Sequence, residues 1–399
     1  MSQTQYQGAL HGVRVLDLTR VLAGPFSTMM LADMGADIIK IEQPVTGDDS
    51  RTFYPHQNGE SAYFMNLNRN KRGITLNLKK GKDLFIEMVK TADILVENYR
   101  PGTMEKLGLG YETLRKINPR LIYGAVSGFG HYGPYKDRAG YDIIGQAMGG
   151  LMSTTGWPDS PPTRSGTAIS DVLGGLSVTI GILAALESRH RTGLGQKVDV
   201  ALVDSVVASL EIINQIYITE GRIPTRQGNR YESSYPYDTF ATKDGMCVIG
   251  AGNNKLWDQT CDVMGRPELK ADPRFQGNPK RVAHHKELRV IIEEWSSTLT
   301  TDEVVDKLLA VGVPSCPIYN IKQVVEDPHI AGAREMFTEV VHPVAGKTKL
   351  TGCHIKLSDM KPSVRTPAPV LGQHNAEVLK DLFGFDENKV RELSEAGIL

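Results

Sequence analysis

The chain is short of the groups that would make it a metalloprotein or a disulfide scaffold. Its four cysteines, Cys247, Cys261, Cys316 and Cys353, lie far apart and form no C-x-x-C pair, so neither a disulfide framework nor a zinc knuckle is expected. The adjacent His284 and His285 would point about 100° apart on a helix, unlike an i, i+4 ligand pair. No H-E-x-x-H occurs, and no metal site is expected. Charge of one sign is also lacking: 45 Lys and Arg stand against 46 Asp and Glu, a net charge of -1. That balance excludes a general electrostatic footprint for nucleic acid or an anionic membrane, so anionic ligands must be gripped locally. The opening MSQTQYQGAL has no basic region followed by an apolar core, and no apolar run approaches the ~18 residues of a membrane span. The expectation is a cytoplasmic protein with no membrane partner.

What is present is an alternation of strand-like and helix-like segments. VRVLDLT (13–19) has period two, GPFSTMMLADMG (24–35) reads as a helix, and ADIIKIE (36–42) reads as a strand. GITLNLK (73–79), KGKDLFIEMVKTA (80–92), DILVENY (93–99) and RLIYGAVSG (120–128) continue the series. This is the pattern of a parallel sheet covered by helices. AISDVLGGLSVTIG (168–181) opens a helix apolar almost all round and therefore buried, followed by the strand KVDVAL (197–202), after which Asp204 is placed to cap SVVASLEIINQIY.

Composition changes near residue 221, where RIPTRQGNRYESSYPYD reads as a long loop, and again near DPHIAGAR (327–334). The expected domains are 1–220, with a linker from about 205, a small domain over 221–330, and a return over 331–399. The fold class is α/β, a large Rossmann-like domain with a parallel sheet plus a smaller α+β domain.

Several motifs have competing readings. GFGHYG (128–133) satisfies G-x-G-x-x-G, but Pro134 and YKDR follow in place of a helix that would hold a pyrophosphate. A glycine-rich active-site or structural loop is the better reading. Lys71, Arg72, Lys79, Lys80, Arg100 and Lys106 form basic islands around strand-to-helix turns, where ligands bind in parallel sheets and phosphates favour such clusters. GAGNNK (250–255) is either a hairpin turn or a flap whose glycines allow close backbone approach. Asp171 is the one charge in its apolar run. One residue before an apolar helix it reads as an N-cap, worth ~1 kcal/mol. Ser170 is an equally good cap, and the Gly174–Gly175 pair costs the helix ~1 kcal/mol per glycine, as if a ligand or another backbone had to come close.

Taken in order, VLDLTRVLAGPFSTMMLADMGADIIKIEQPVTGDDSR, NRNKRGITLNLK, VENYRPGTMEKLGLGYE, GFGHYGPYKDRAGYDIIGQAMGG, SDVLGG, GAGNN, VGVPSCPI and PAPVLGQH resemble the family III CoA-transferases over almost the whole length. The resemblance implies an interlocked, ring-like homodimer and a soluble enzyme whose substrates are an acyl-CoA and a carboxylic acid. Coenzyme A would be a substrate moiety, with no permanently bound cofactor. It implies Asp171 as nucleophile, with an aspartyl anhydride and an aspartyl-CoA thioester as intermediates, supported by Asp142 and by a lid at Gly250, Ala251, Gly252 and Asn253. CoA contacts would come from Ala23, Lys79, Asn98, Tyr99, Lys106, Leu107 and Tyr141. Leu22, Phe53 and Arg51 would meet the substrate.

Departures from the family pattern matter as well. Leu22 stands where the oxalate enzyme has Gln, Phe53 at a Trp position, and Gln43 and Ala139 where two basic CoA contacts would be. These imply a different acyl group and a rearranged grip on CoA, with Gln43 still at its CoA position. A short dicarboxylate such as oxalate is the expected acceptor, with succinyl-CoA, acetyl-CoA or formyl-CoA as donor and Arg51, Arg164 and Arg230 as candidate grips for a second carboxylate. The alternatives are a 2-methylacyl-CoA racemase of the same family, disfavoured by Tyr141 and by Asn253 or Asn254 at the expected base positions, and a non-catalytic CoA-binding protein.

Overall fold

The computed structural model describes residues 8–399. They divide into two compact units: the chain up to Leu151 with Ser165–Gln215 and Pro328–Leu399, and Met152–Arg164 with Ile216–Asp327.

The first unit is built on six parallel strands: β1 (Arg14–Asp17), β2 (Asp37–Glu42), β3 (Lys71–Thr75), β4 (Ile94–Glu97), β5 (Ile122–Ser127) and β6 (Lys197–Ala201). Their order is β3-β2-β1-β4-β5-β6, with Leu16 paired to Ile39 on one side and Leu95 on the other. The central strands are buried on both faces, which is why they read as near-continuous apolar runs. Helices α1 (Ala23–Asp33), α2 (Ala62–Asn68), α3 (Lys82–Thr91), α4 (Tyr111–Ile117), α5 (Asp142–Met148), α6 (Ile169–Thr192) and α7 (Leu202–Ser209) accompany the sheet. One core, with Phe85, Met88 and Leu114, lies under α3 and α4; the other, with Met29, Met30, Val178 and Ile182, lies under α1 and α6. The C-terminal segment joins the first core through Val378 and Leu379.

Three local expectations need correction. The third strand occupies Lys71–Thr75 rather than 73–79, because the Asn77 side chain accepts from the Lys79 and Lys80 amides and turns the chain there. Asp204 is the third residue of α7, whose N-cap is Ala201. The chain breaks again at Glu211, with φ of 37°, so the expected single helix is two. Finally, α6 is apolar enough by length and composition to cross a membrane, with mean hydropathy 1.9 over its best 18 residues. Ser, Thr and Gly interrupt that run without making it polar. In the fold it packs on α1, α7, β5 and β6.

The second unit holds an antiparallel sheet in which β8 (Met246–Gly250) lies between β7 (Tyr237–Ala241) and β9 (Ser315–Pro317). Helices α8 (Asn254–Val263), α9 (His285–Ser296) and α10 (Thr301–Ala310) share with it a core of Trp257, Phe240, Phe275, Leu288, Ile292 and Leu308. A capping box at Thr300 and Glu303 starts α10. Strand-rich and helical parts thus make this smaller unit α+β.

The glycine pair has a packing explanation. A Cβ on Gly175 would lie 2.7 Å from the Ala23 carbonyl oxygen, and one on Gly174 2.7 Å from the Leu202 side chain. The glycines let α6 approach α1 and α7, so they serve helix packing and do not hold space open for a ligand. Gly175→Val is expected to lower the unfolding free energy by about 2–4 kcal/mol, since the clash is with backbone. Gly166→Ala, where the added carbon meets open space, should stay within about 0.5 kcal/mol. Urea unfolding of both variants checks the pair.

Candidate active site

Asp171 lies in the first turn of α6, two residues inside its start. The N-cap is Ala168 and has no side-chain cap, so neither Asp171 nor Ser170 caps this helix. The capping oxygen comes from α5: Asp142 Oδ1 accepts from the Ser170 amide and from Ser170 Oγ, both at 2.9 Å. Its other oxygen accepts from Gln146 Nε2 at 2.7 Å, and buried Gln146 in turn accepts from the Ser165 amide at 2.9 Å. Among the described residues the Asp171 carboxylate has no hydrogen-bond partner. Burial, and then the like charge of Asp142, push its pKa up to about 7. Desolvation raises a carboxyl in this way because it disfavours the charged form.

Asp171 lines a cavity of about 450 Å³ with Leu22, Ala23, Asn98, Tyr99, Arg100, Arg138 and Tyr141 among its walls. A second cavity of about 510 Å³ is lined by Gln43, Lys79, Tyr99 and Leu107 among others, and Arg20, Tyr99 and Thr103 belong to both. Cavities of this size suit small-molecule ligands. Seven of the eight candidate CoA positions therefore fall on two adjoining cavities; Lys106 lines neither. Gly128 and Gly140, at the ends of the loop that carries the G-x-G-x-x-G pattern, sit on the wall of the Asp171 cavity.

Several expected ligand cations are committed elsewhere. Arg51 makes a two-pronged pair with Glu42, Nε to Oε2 and Nη2 to Oε1, both at 2.7 Å, and lies over the Phe64 ring at 3.8 Å. Gripping a substrate carboxylate would require breaking that pair, so Arg51 is corrected to a structural residue. Phe53 is likewise off both cavities and packs edge-on against Tyr63 at 5.5 Å. Lys71 is buried against Asp17 at 2.9 Å, and Arg72 is shared among Asp37, Glu377 and Asp381, so neither is free for phosphate. Arg230 is occupied by Gln227 and the carbonyls of Tyr231 and Glu232, and Arg164 is exposed in the second unit. Arg100 and Arg138, by contrast, form no ion pair among the described residues and line the Asp171 cavity. Arg138 lies over the Tyr135 ring at 3.6 Å.

Sequence reasoning also missed Tyr63. Burial and the charges of Asp171, Asp48 and Asp142 raise its pKa to about 12, which places it within electrostatic reach of the nucleophile candidate. Nothing in SAYFMNLNR marks it.

The Gly250–Asn253 loop belongs to the second unit and is no hairpin turn. It joins β8 to α8, with Asn253 Oδ1 capping α8 through the Leu256 amide at 2.9 Å. Fully buried Arg281 donates to the Gly252 carbonyl at 2.7 Å and to Asn254 Oδ1 at 3.1 Å.

Residues 10–375 match the family model described as CoA-transferase family III. The chain belongs to the family III CoA-transferases. Relatives of this enzyme include a succinyl-CoA:glutarate CoA-transferase from Mus musculus, 41% identical and matched over 98% of this chain and 90% of its own. An acetyl-CoA:oxalate CoA-transferase from Acetobacter aceti is 42% identical over 94% of this chain and 96% of its own. The crystal structure of a CAIB/BAIF family protein from Brucella suis superposes with a TM-score of 0.83 at 38% identity, covering 94% of this chain and all of that one. CoA transfer is therefore the activity, with acyl-CoA and carboxylate as substrates, and the α/β fold is that of the CaiB/BaiF proteins.

The Asp171 shift has a stability consequence with a definite sign. Its pKa in the fold, about 7, lies above the ordinary 3.8, so the folded chain holds this proton where the unfolded chain has lost it. Stability falls as pH rises between those values. Asp171→Asn should stabilise the protein at pH 8 and leave it nearly unchanged at pH 4, read by denaturant unfolding at the two pH values.

Proposed function

We propose that this CoA-transferase moves CoA from a short acyl-CoA, namely succinyl-CoA, acetyl-CoA or formyl-CoA, to a small dicarboxylate such as oxalate, with Asp171 as the covalent carrier. The observation that carries the reading is an Asp171 carboxylate with no hydrogen-bond partner among the described residues, in a cavity whose walls include two guanidinium groups, Arg100 and Arg138, that form no ion pair among those residues. A carboxylate held by no protein donor has no such bond to break on attack, and its raised pKa makes it the stronger nucleophile. Both relatives are named for dicarboxylate acids, glutarate and oxalate, and an unpaired guanidinium suits a second carboxylate.

In the proposed sequence an Asp171 oxygen attacks the thioester carbon and the CoA thiolate leaves, giving a mixed anhydride. The thiolate then attacks the aspartyl carbonyl, releasing the donor acid and leaving an aspartyl-CoA thioester. The acceptor carboxylate attacks that thioester, expels the thiolate again and forms a second anhydride. Thiolate attack on the acceptor's carbonyl completes the new acyl-CoA and frees Asp171. No net proton is consumed. Asp142 holds the α6 end in place. Tyr99, Gln43, Lys79 and Leu107 line the second cavity as the CoA contacts.

The enzyme is further proposed to be a cytoplasmic homodimer. Exposed Ile143, Ile144 and Met148 on α5, Ile180 on α6 and Val207 on α7 lie on helices in mutual contact, an apolar surface of the kind that marks an interface.

Mass spectrometry of protein incubated with succinyl-CoA and hydroxylamine should find a hydroxamate at Asp171. Asp171→Ala should give none and lose at least about 10³-fold in activity. The acid limb of kcat/KM should have its midpoint at about 7 and move to lower pH in Asp142→Asn, because a neutral neighbour no longer opposes ionisation. Arg138→Ala should raise the KM for the dicarboxylate about tenfold and leave that for a monocarboxylate unchanged. Adduct at another residue, or full activity in Asp171→Ala, would sink the covalent reading.

A further inference from the structure

The loop Thr19–Leu22, between β1 and α1, gives Thr19 and Arg20 to the second cavity and Arg20, Val21 and Leu22 to the Asp171 cavity. Its backbone is held almost entirely by side chains from elsewhere. Asp17 accepts from the Thr19 amide at 2.9 Å, and Lys40 Nζ donates to the Thr19 carbonyl at 2.9 Å. Asn98 grips Arg20 from both sides, accepting from its amide at 2.8 Å and donating to its carbonyl at 2.7 Å. Asp48 Oδ1 accepts from the Val21 amide at 3.1 Å, and Asp48 Oδ2 pairs with Lys40 Nζ at 2.9 Å with both side chains fully buried.

Val21 has φ of 66°, a left-handed conformation that a β-branched residue takes only when its surroundings force it. Strain of this kind clusters at ligand sites. Relaxed to extended backbone, Val21 would swing Leu22 and Ala23 away from their present places in the wall of the Asp171 cavity.

We propose that the buried Lys40–Asp48 pair is a positioning device for the acyl pocket, holding Val21 left-handed so that Leu22 and Ala23 face the cavity of Asp171. The pair touches no reacting atom in this scheme. It acts through the loop, and Asn98 belongs to the same clamp, since both ends of its amide are spent on Arg20. The proposal rests on the reading of the Asp171 cavity as the acyl site.

Removing one partner alone would leave a buried charge unpaired, so the informative variant replaces both: Lys40→Met with Asp48→Leu, an apolar pair of similar volume that such sites tolerate. Its kcat for acyl transfer is expected to fall at least about 30-fold, as for a pocket misplaced by about 1 Å. KM for acyl-CoA should split from kcat and change less than about threefold, because uniform binding is untouched. Adding Val21→Gly should recover at least about fivefold of the lost kcat, because glycine takes a positive φ unaided. A kcat within about twofold of the wild type, or a loss that glycine does not recover, overturns the proposal.

A measurement on the unmodified enzyme stands if the variant does not fold. The Val21 amide should exchange hydrogen as slowly as core amides such as Leu16, and exchange at the rate of an exposed loop overturns the clamp. This outcome does not depend on which residue is acylated. Hydroxylamine trapping on the wild type decides that separately.

Discussion

Two carboxylates compete for one helix end, and most of the site follows from which of them takes it. The first turn of a helix favours an anion by roughly 0.3–1 kcal/mol, through amides that have no partner within the helix. Asp142 reaches across from α5 and takes the Ser170 amide, leaving Asp171 one residue further on without a donor. The helix end thus stabilises the charge of Asp142 and not that of Asp171. Burial and repulsion from Asp142 then outweigh the remaining dipole, which is why the Asp171 pKa rises to about 7 where a cap residue would be expected to fall. Under the covalent reading proposed above, each hydrogen bond withheld from Asp171 is one that need not be broken when its carboxylate attacks.

The position of that helix end depends in turn on close packing. Gly175 brings α6 against the Ala23 carbonyl, and Thr179 Oγ1 hydrogen-bonds Ser27 Oγ at 2.8 Å one turn further along. α1 starts where the Thr19–Leu22 loop releases it, and that loop is fixed by Asp17, Lys40, Asp48 and Asn98. Beneath it Asp17 is fully buried. Burial would raise its pKa, but Lys71 and Lys40 with the Thr19 and Thr28 hydroxyls outweigh that and hold it down. The same contest lowers Asp48 and raises Lys40 against their burial. These pairs are costly to desolvate and weak evidence for stability. Their value lies in direction, since an ion pair fixed at both ends sets where a backbone amide points.

Much of the fold was legible because parallel strands buried on both faces are mostly apolar, and RLIYGAVSG has that character. Asp171 stood out for the complementary reason, a lone charge in an apolar helix. The local assignments that failed did so where a long-range partner overrode a short-range rule. Ser170 and Asp171 look like caps only until Asp142 arrives from 28 residues away. Gly174 and Gly175 suggest space for a ligand only until α1 and α7 fill it. Asn98 reads as a ligand contact, yet its amide is consumed by Arg20. Val21 carried no signal at all, because a strained φ is a property of the surroundings that hold it and not of the residue.

The same logic explains how a protein of net charge -1 can select anionic substrates. Most of the cations that crowd the strand ends are neutralised internally: Lys40 by Asp48, Arg51 by Glu42, Lys71 by Asp17, and Arg72 by Asp37, Glu377 and Asp381. Sequence alone counts Lys71 and Arg72 with Lys79, Lys80, Arg100 and Lys106 as basic islands open to an anion. Once the internal pairs are subtracted, Arg100 and Arg138 on the wall of the Asp171 cavity and Lys79 on its neighbour are left without an ion pair among the described residues. A few unneutralised charges beside low-dielectric walls attract an anion more strongly than the same charges spread over a wet surface. Pairing away most of the neighbouring cations thus concentrates the attraction for a charged acid at these cavities.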